Sequence, residues 1–128
     1  MSEEKADLAA LTRAYLDAFA AGDLERCLGF YADDASIDFQ LGVFRGRKGI
    51  EAWHRDRFAA KLRLVRLESI TVRQNTVVVD AVATSEHLVA WKINRLSGRV
   101  TLRFDGHKIA AAQLAPRMMS PVDMVRSE

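Results

Sequence analysis

The stretch Tyr15-Leu-Asp-Ala-Phe-Ala-Ala-Gly-Asp-Leu-Glu25 holds the end of one helix and the start of the next, and the rest of the fold is read outward from it. Upstream, Leu8, Leu11, Tyr15, Ala18 and Phe19 recur at three and four, the spacing of one apolar helix face. That helix starts near Ser2, an N-cap residue followed by Glu3 and Glu4. It stops at Gly22, since glycine accepts the left-handed conformation that ends helices. Downstream, Asp23 caps a second helix with the apolar stripe Leu24, Cys27, Leu28 and Tyr31. Asp33 and Asp34 end it and lead into an extended run from Ala35 to Phe39.

The segment Gly42 to Gly49, with three glycines and several basic residues, reads as a loop feeding a third helix over about 47–62. Ile50, Trp53, His54 and Phe58 form its inward face. The period then changes to two, and turn signals at Gln74-Asn75 and Asp105-Gly106 divide a meander into strands near 62–73, 76–90, 95–104 and 108–115. In the long strand the odd positions from Val77 to Trp91, His87 among them, are mostly apolar and face inward. Asp80, Thr84 and Glu86 alternate outward. Ala81, Ala83 and Ser85 on the inner face are small, which leaves room for bulky helix side chains or for a ligand. The expected organisation is one domain over 1–116 and a C-terminal tail over 117–128 without periodicity.

Composition narrows the function classes. With 128 residues, 49% hydrophobic and 28% charged, the chain has ordinary globular usage and is too short to divide into two well-cored units. A net charge of +2 with dispersed signs gives no field for gathering nucleic acid. The stretch Arg55, Arg57, Lys61, Arg63 and Arg66 lacks interleaved aromatics and reads as a solvated face. No apolar run approaches the ~18–20 residues of a membrane span. The single cysteine, Cys27, has no intramolecular partner and lies on an apolar helix face; with no signal-like N-terminus, a cytoplasmic location is expected. His54, His87 and His107 lie on different elements without paired spacing, so no metal is expected. No nucleotide, haem or flavin motif is present, so no cofactor is expected either.

The order of elements, together with Tyr15 to Glu25, Phe30-Tyr-Ala-Asp-Asp-Ala-Ser-Ile37, Phe44-Arg-Gly46 ahead of Gly49-Ile50, and Leu102-Arg-Phe-Asp-Gly-His-Lys-Ile109, resembles the nuclear transport factor 2-like superfamily. Within it the likeness is to the ketosteroid isomerase and SnoaL-like polyketide cyclase branch. The resemblance spans roughly residues 8–115. It implies an α+β fold of the cystatin-like type, a cone-shaped barrel with three N-terminal helices packed on a curved antiparallel sheet. It further implies a small-molecule pocket, cofactor-independent acid–base chemistry of isomerase, cyclase or hydrolase type, and a homodimer paired through the outer sheet face, where Val82 and Leu88 interrupt polar positions.

Carried over residue by residue, the resemblance puts Tyr15 at the oxyanion-binding tyrosine, Tyr31 at a supporting tyrosine and His54 at the remaining hydrogen-bonded tyrosine. Ketosteroid isomerase, a well-known case, uses an aspartate base with a tyrosine and a protonated aspartate. Here the base falls on Phe39 and the protonated acid on Val100. The acidic residue of the cyclases' last strand is absent from Ile109-Ala-Ala-Ala-Gln113-Leu. Steroid isomerisation by that route is therefore disfavoured, since a base must reach its proton.

The expected catalytic candidates are Tyr15, as hydrogen-bond donor or equally as a core tyrosine satisfied locally, with His87 or Asp38 as base. Asp38 would need a one-residue bulge to turn inward. Tyr31, Phe39, Trp53, His54, Phe58, Val100, Leu102 and Gln113 are expected to line a hollow for a small apolar ligand bearing a carbonyl or hydroxyl. The alternative is a binding or dimeric assembly module without turnover.

Overall fold

The structure, a computed structural model, describes residues 2–39, 42–85 and 96–116. Helix α1 (Ser2–Ala20) turns off at Gly22, where φ is +68° and the Gly22 and Asp23 N–H groups donate back to the carbonyls of Phe19 and Ala18. The Asp23 carboxylate then accepts from the Arg26 N–H at 3.2 Å and caps α2 (Leu24–Gly29).

Helix α2 is shorter than its stripe suggested. Tyr31 opens strand β1 (Tyr31–Phe39) instead of closing the helix, because the Phe30 carbonyl is claimed by the Ile109 N–H of the last strand at 2.8 Å. The glycine-rich segment is likewise more than a loop. Gly42–Arg45 is a short strand, β2, antiparallel to β1 with Phe39 opposite Gly42 and Ser36 opposite Arg45. Helix α3 (Gly46–Ala59) follows, so the third helix comes after a hairpin and the helices are not three in succession. Gly49 is the close approach here. A β-carbon at this position would lie 3.0 Å from the Phe44 carbonyl carbon.

Four longer strands complete the sheet: β3 (Arg63–Arg73), β4 (Thr76–Thr84), β5 (Leu96–Asp105) and β6 (Lys108–Pro116). The order is β2-β1-β6-β5-β4-β3. Every neighbour is antiparallel except β1 with β6, which run parallel, so the expectation of a wholly antiparallel sheet is corrected. The sheet is curved and unclosed rather than a complete barrel, with β2 and β3 as its edges among the described residues. Register shifts in β1, twice along β3, and between β5 and β6 supply bends of the kind bulges produce. The outer part of the strand expected over 76–90, with His87 and Leu88, together with Trp91 and the tail 117–128, lies outside the described residues.

Period-two alternation decides which side chains meet the helices. Val77, Val79 and Ala81 of β4, Leu102 and Phe104 of β5, and Ile109 and Ala112 of β6 are buried on the concave face. They pack against Leu8, Tyr15, Ala18, Phe19, Ile50 and Trp53. Each large apolar side chain so buried contributes roughly 1.5–3 kcal/mol. On the convex face Asp80 is held by Arg99 through two hydrogen bonds of 2.8 and 3.0 Å, a cross-strand pair between β4 and β5. Among the described residues no helix is long and apolar enough to cross a membrane.

Candidate functional site

The inward stripe of α1 presents Tyr15 to the concave face, the first residue of β1 presents Tyr31, and the inward face of α3 presents His54. Their polar atoms meet: the Tyr15 hydroxyl lies 2.7 Å from the Tyr31 hydroxyl and 2.8 Å from His54 Nε2, while His54 Nδ1 lies 2.7 Å from the Ile50 carbonyl oxygen. The direction of this chain follows from its last link. A carbonyl only accepts, so Nδ1 carries a proton and donates to Ile50. Burial pushes the imidazole below its ordinary pKa, so the ring is neutral and Nε2 is an acceptor. Tyr15 therefore donates to Nε2, and Tyr31 donates to Tyr15.

The surroundings enforce the neutral forms. Tyr15 and Tyr31 are both buried, and desolvation, the largest influence on each, raises their pKa well above the usual phenol value. Phe19, Phe30, Trp53 and Phe58 enclose the three groups, with edge contacts such as Tyr15 to Phe30 at 5.8 Å and Trp53 to His54 at 4.9 Å between ring centres. The Tyr15 proton is already committed to His54. For Tyr15 to serve a ligand oxygen, that bond must open or the Tyr31 hydroxyl must turn.

Phe39 and Val100, the positions where the resemblance puts carboxylates, both point inward. The half-buried Phe39 ring packs on Trp53 with ring centres 5.8 Å apart, and half-buried Val100 lies in register between Val79 and Leu114. Leu102 is fully buried in the core. Asp38 is exposed on the convex face. The register of β1 with both neighbours is unbroken from Ser36 to Phe39, and its irregularity lies upstream between Tyr31 and Ser36, so the bulge needed to turn Asp38 inward is absent. Gln113 is exposed for the same reason of alternation, standing opposite Asp38 and Thr101 while its neighbour Ala112 is buried. Its expected place in the lining is corrected. His87 lies outside the described residues.

Beside the aromatic cluster, where the ends of α1, α3 and β4 and the start of β3 converge, an open cleft of about 720 Å³ is present. Phe19, Phe58 and Leu62 supply apolar wall, Lys61 and Arg63 supply cations, and Thr84 and Ser85 supply hydroxyls. Lys61 sits at φ +55°, and its N–H donates to the Phe58 carbonyl, the backbone turn that ends α3 and starts the rim. Spacing placed Phe19 and Phe58 on inward faces but gave no signal for Leu62, Thr84 or Arg63, which come together only through the sheet.

Arg57 also departs from the expected solvated face. Half-buried, it lays its guanidinium over the Phe39 ring, 4.6 Å from the centroid. Its spacing of four from Trp53 was the available signal. Cys27 is fully buried, and burial, followed by the charge of Asp23, pushes its thiol up to about 12, so it packs as a small apolar group.

Comparison with known proteins agrees with this architecture. Among solved structures, a candidate polyketide cyclase from Sinorhizobium meliloti superposes with a TM-score of 0.75 at 18% identity, over 87% of this chain and 98% of its own. A candidate ketosteroid isomerase from Kribbella flavida gives 0.76 at 15% identity, over 91% and 82%. Bal32a, from a soil-derived mobile gene cassette, gives 0.78 at 17% identity, over 88% and 91%. At such identities the likeness is one of fold. No curated protein matches the chain. The SnoaL-like domain family model, however, matches residues 12–112, from the buried Thr12 of α1 to the buried Ala112 of β6. With the second half of α1, α2, the hairpin, the third helix and nearly all of the meander inside that match, the chain belongs to the SnoaL-like domain family.

Proposed function

We propose that this chain binds a small, mostly apolar molecule between α1, α3 and the concave sheet, and that it does so without the carboxylate chemistry of ketosteroid isomerases. The observation that carries this reading is the pair Phe39 and Val100, apolar side chains turned inward where a base and an acid would stand. Among the side chains described, the carboxylates are exposed or, like Glu51 and Asp80, paired with Arg55 and Arg99. The cleft beside Phe19 and Phe58 supports the same reading. Native mass spectrometry of the purified protein is expected to show a bound small molecule. Re-adding that molecule at a hundred times its Kd stabilises the fold by about 2.7 kcal/mol. Absence of any retained or stabilising molecule across a broad metabolite library refutes the reading.

A second reading, acid–base catalysis, is supported by the Tyr31-Tyr15-His54 chain, which could deliver a polarised phenol to a ligand oxygen gaining negative charge. Its test is turnover of the identified ligand. Tyr15→Phe leaving the rate unchanged removes the mechanism. We also propose pairing of two copies through the convex face, where Val78, Thr101 and Gln113 point away from the helices. A monomer by ultracentrifugation at tens of micromolar, an order-of-magnitude working concentration, counts against it.

A further inference from the structure

Among the described residues, two nitrogen donors on the inner face of α3 lack an acceptor. Trp53 is 2% exposed, and its Nε1–H has no hydrogen-bond partner among the described residues; one helical turn further on, the Arg57 Nε–H is shut off from solvent and equally unmatched among them. Buried N–H groups are nearly always paired, so two orphans on successive turns of one helix face point to an acceptor supplied by something that binds there. The Arg57 guanidinium lies 4.6 Å from the Phe39 centroid and 6.0 Å from the Trp53 ring, which gathers both donors and the cation around one aromatic surface. Among the described residues no carboxylate pairs with Arg57.

We infer that the ligand is an amphipathic anion, a monocarboxylate with an apolar body, its carboxylate taken by Arg57 and Trp53 and its body laid along Phe19 and Phe58. The inference rests on the small-molecule reading above and adds to it the chemical class of the ligand. A neutral carbonyl would satisfy one or both N–H groups but leave the half-buried cation without a counter-charge. A carboxylate satisfies all three, because guanidinium and carboxylate match in shape as well as charge. The nearby cleft agrees in sign: Lys61 and Arg63 are on its rim, and no acidic residue is among those described in its lining. Phe19, whose ring packs 5.9 Å from that of Trp53, also walls the cleft, so a head group at the donors has apolar surface one ring away. Both nitrogens are screened from water, so the carboxylate reaches them by moving the half-buried Phe39 ring at the end of β1.

The test is titration of the full chain with sodium octanoate and with 1-octanol at pH 7, following the Trp53 Nε1–H and Arg57 Nε–H resonances by proton–nitrogen correlation. Octanoate is expected to move both resonances downfield and to bind at least about ten-fold more tightly than octanol, the factor one charge-assisted hydrogen bond supplies. Arg57→Gln should cut octanoate binding by far more than octanol binding and so abolish the preference between them, while Arg57→Lys should restore part of the preference. Equal binding of the two probes, with both resonances unmoved, overturns the ligand class and leaves the small-molecule reading standing. Binding of neither at millimolar concentration sinks both. If Arg57→Gln does not give a dispersed spectrum, the octanoate and octanol comparison on the unmodified chain decides alone.

Discussion

The hydrogen-bond direction assigned to the buried chain makes an unequal prediction for its two tyrosines. Tyr15→Phe removes the central hydroxyl, which both donates to His54 Nε2 and accepts from Tyr31. Two buried polar groups are orphaned, a ring nitrogen and a hydroxyl proton, at about 1–3 kcal/mol each, so the loss should be roughly 2–6 kcal/mol. Tyr31→Phe removes only an end. Tyr15 keeps its acceptor at Nε2 and merely loses one donor to its oxygen, so about 1 kcal/mol is expected. Against a total stability on the order of 5–15 kcal/mol, both variants should fold and the difference should be plain in urea unfolding midpoints at constant slope. Long-range proton–nitrogen correlation on the His54 ring should independently show a protonated Nδ1 and a bare Nε2. A loss for Tyr31→Phe equal to or larger than that for Tyr15→Phe, or a ring protonated at Nε2 alone, would show that the chain runs the other way.

Other outcomes follow from the same packing. His54 has its folded pKa depressed below 6.5 by burial, so its contribution is complete above that pH and declines as pH falls from 6.5 toward the depressed value. Stability measured from pH 7 to 5 should drop, and His54→Gln should flatten that drop. Cys27, with its thiol pushed up to about 12, should resist a thiol reagent at pH 8 in the folded protein and react at once in denaturant. Rapid labelling of the native chain would contradict its burial. Gly49→Ala forces a β-carbon to within 3.0 Å of Phe44 backbone and should destabilise by about 1–3 kcal/mol, read from the thermal midpoint, whereas Gly29→Ala meets nothing nearby and should be far milder.

The elements with long apolar periodicity were legible from residue types alone. Leu8, Tyr15, Ala18 and Phe19 at helical spacing, and Val77, Val79 and Ala81 at strand spacing, are buried as their pattern dictates. Boundaries failed where two patterns overlapped. Tyr31 continues the three-and-four spacing of Cys27 and Leu28, yet the partner strand 78 residues downstream takes it into the sheet. Gly42–Arg45 is too short to show a period, and only the hairpin with β1 makes it a strand. The meeting of Tyr15, Tyr31 and His54 could not be derived from spacing, since the three are 16 and 39 residues apart; the family resemblance placed them, while hydrogen-bond geometry gave the direction. The bare nitrogens of Trp53 and Arg57 had no sequence signal at all, because being unpaired is a property of the assembled surroundings.

The adjacency of β1 and β6 has a consequence for how the chain reaches this arrangement. The earliest strand finds its inner neighbour only at residues 108–116, and the ladder between them is parallel, the kind of pairing that cannot be nucleated by a tight turn. The β3-to-β6 meander can zip locally, hairpin upon hairpin, but the half bearing Tyr15 and Tyr31 stays unclamped until that zipper is finished. Assembly should therefore be late and cooperative at this seam, with a substitution at Ile109 or Ala112 slowing refolding more than one of equal severity in β3.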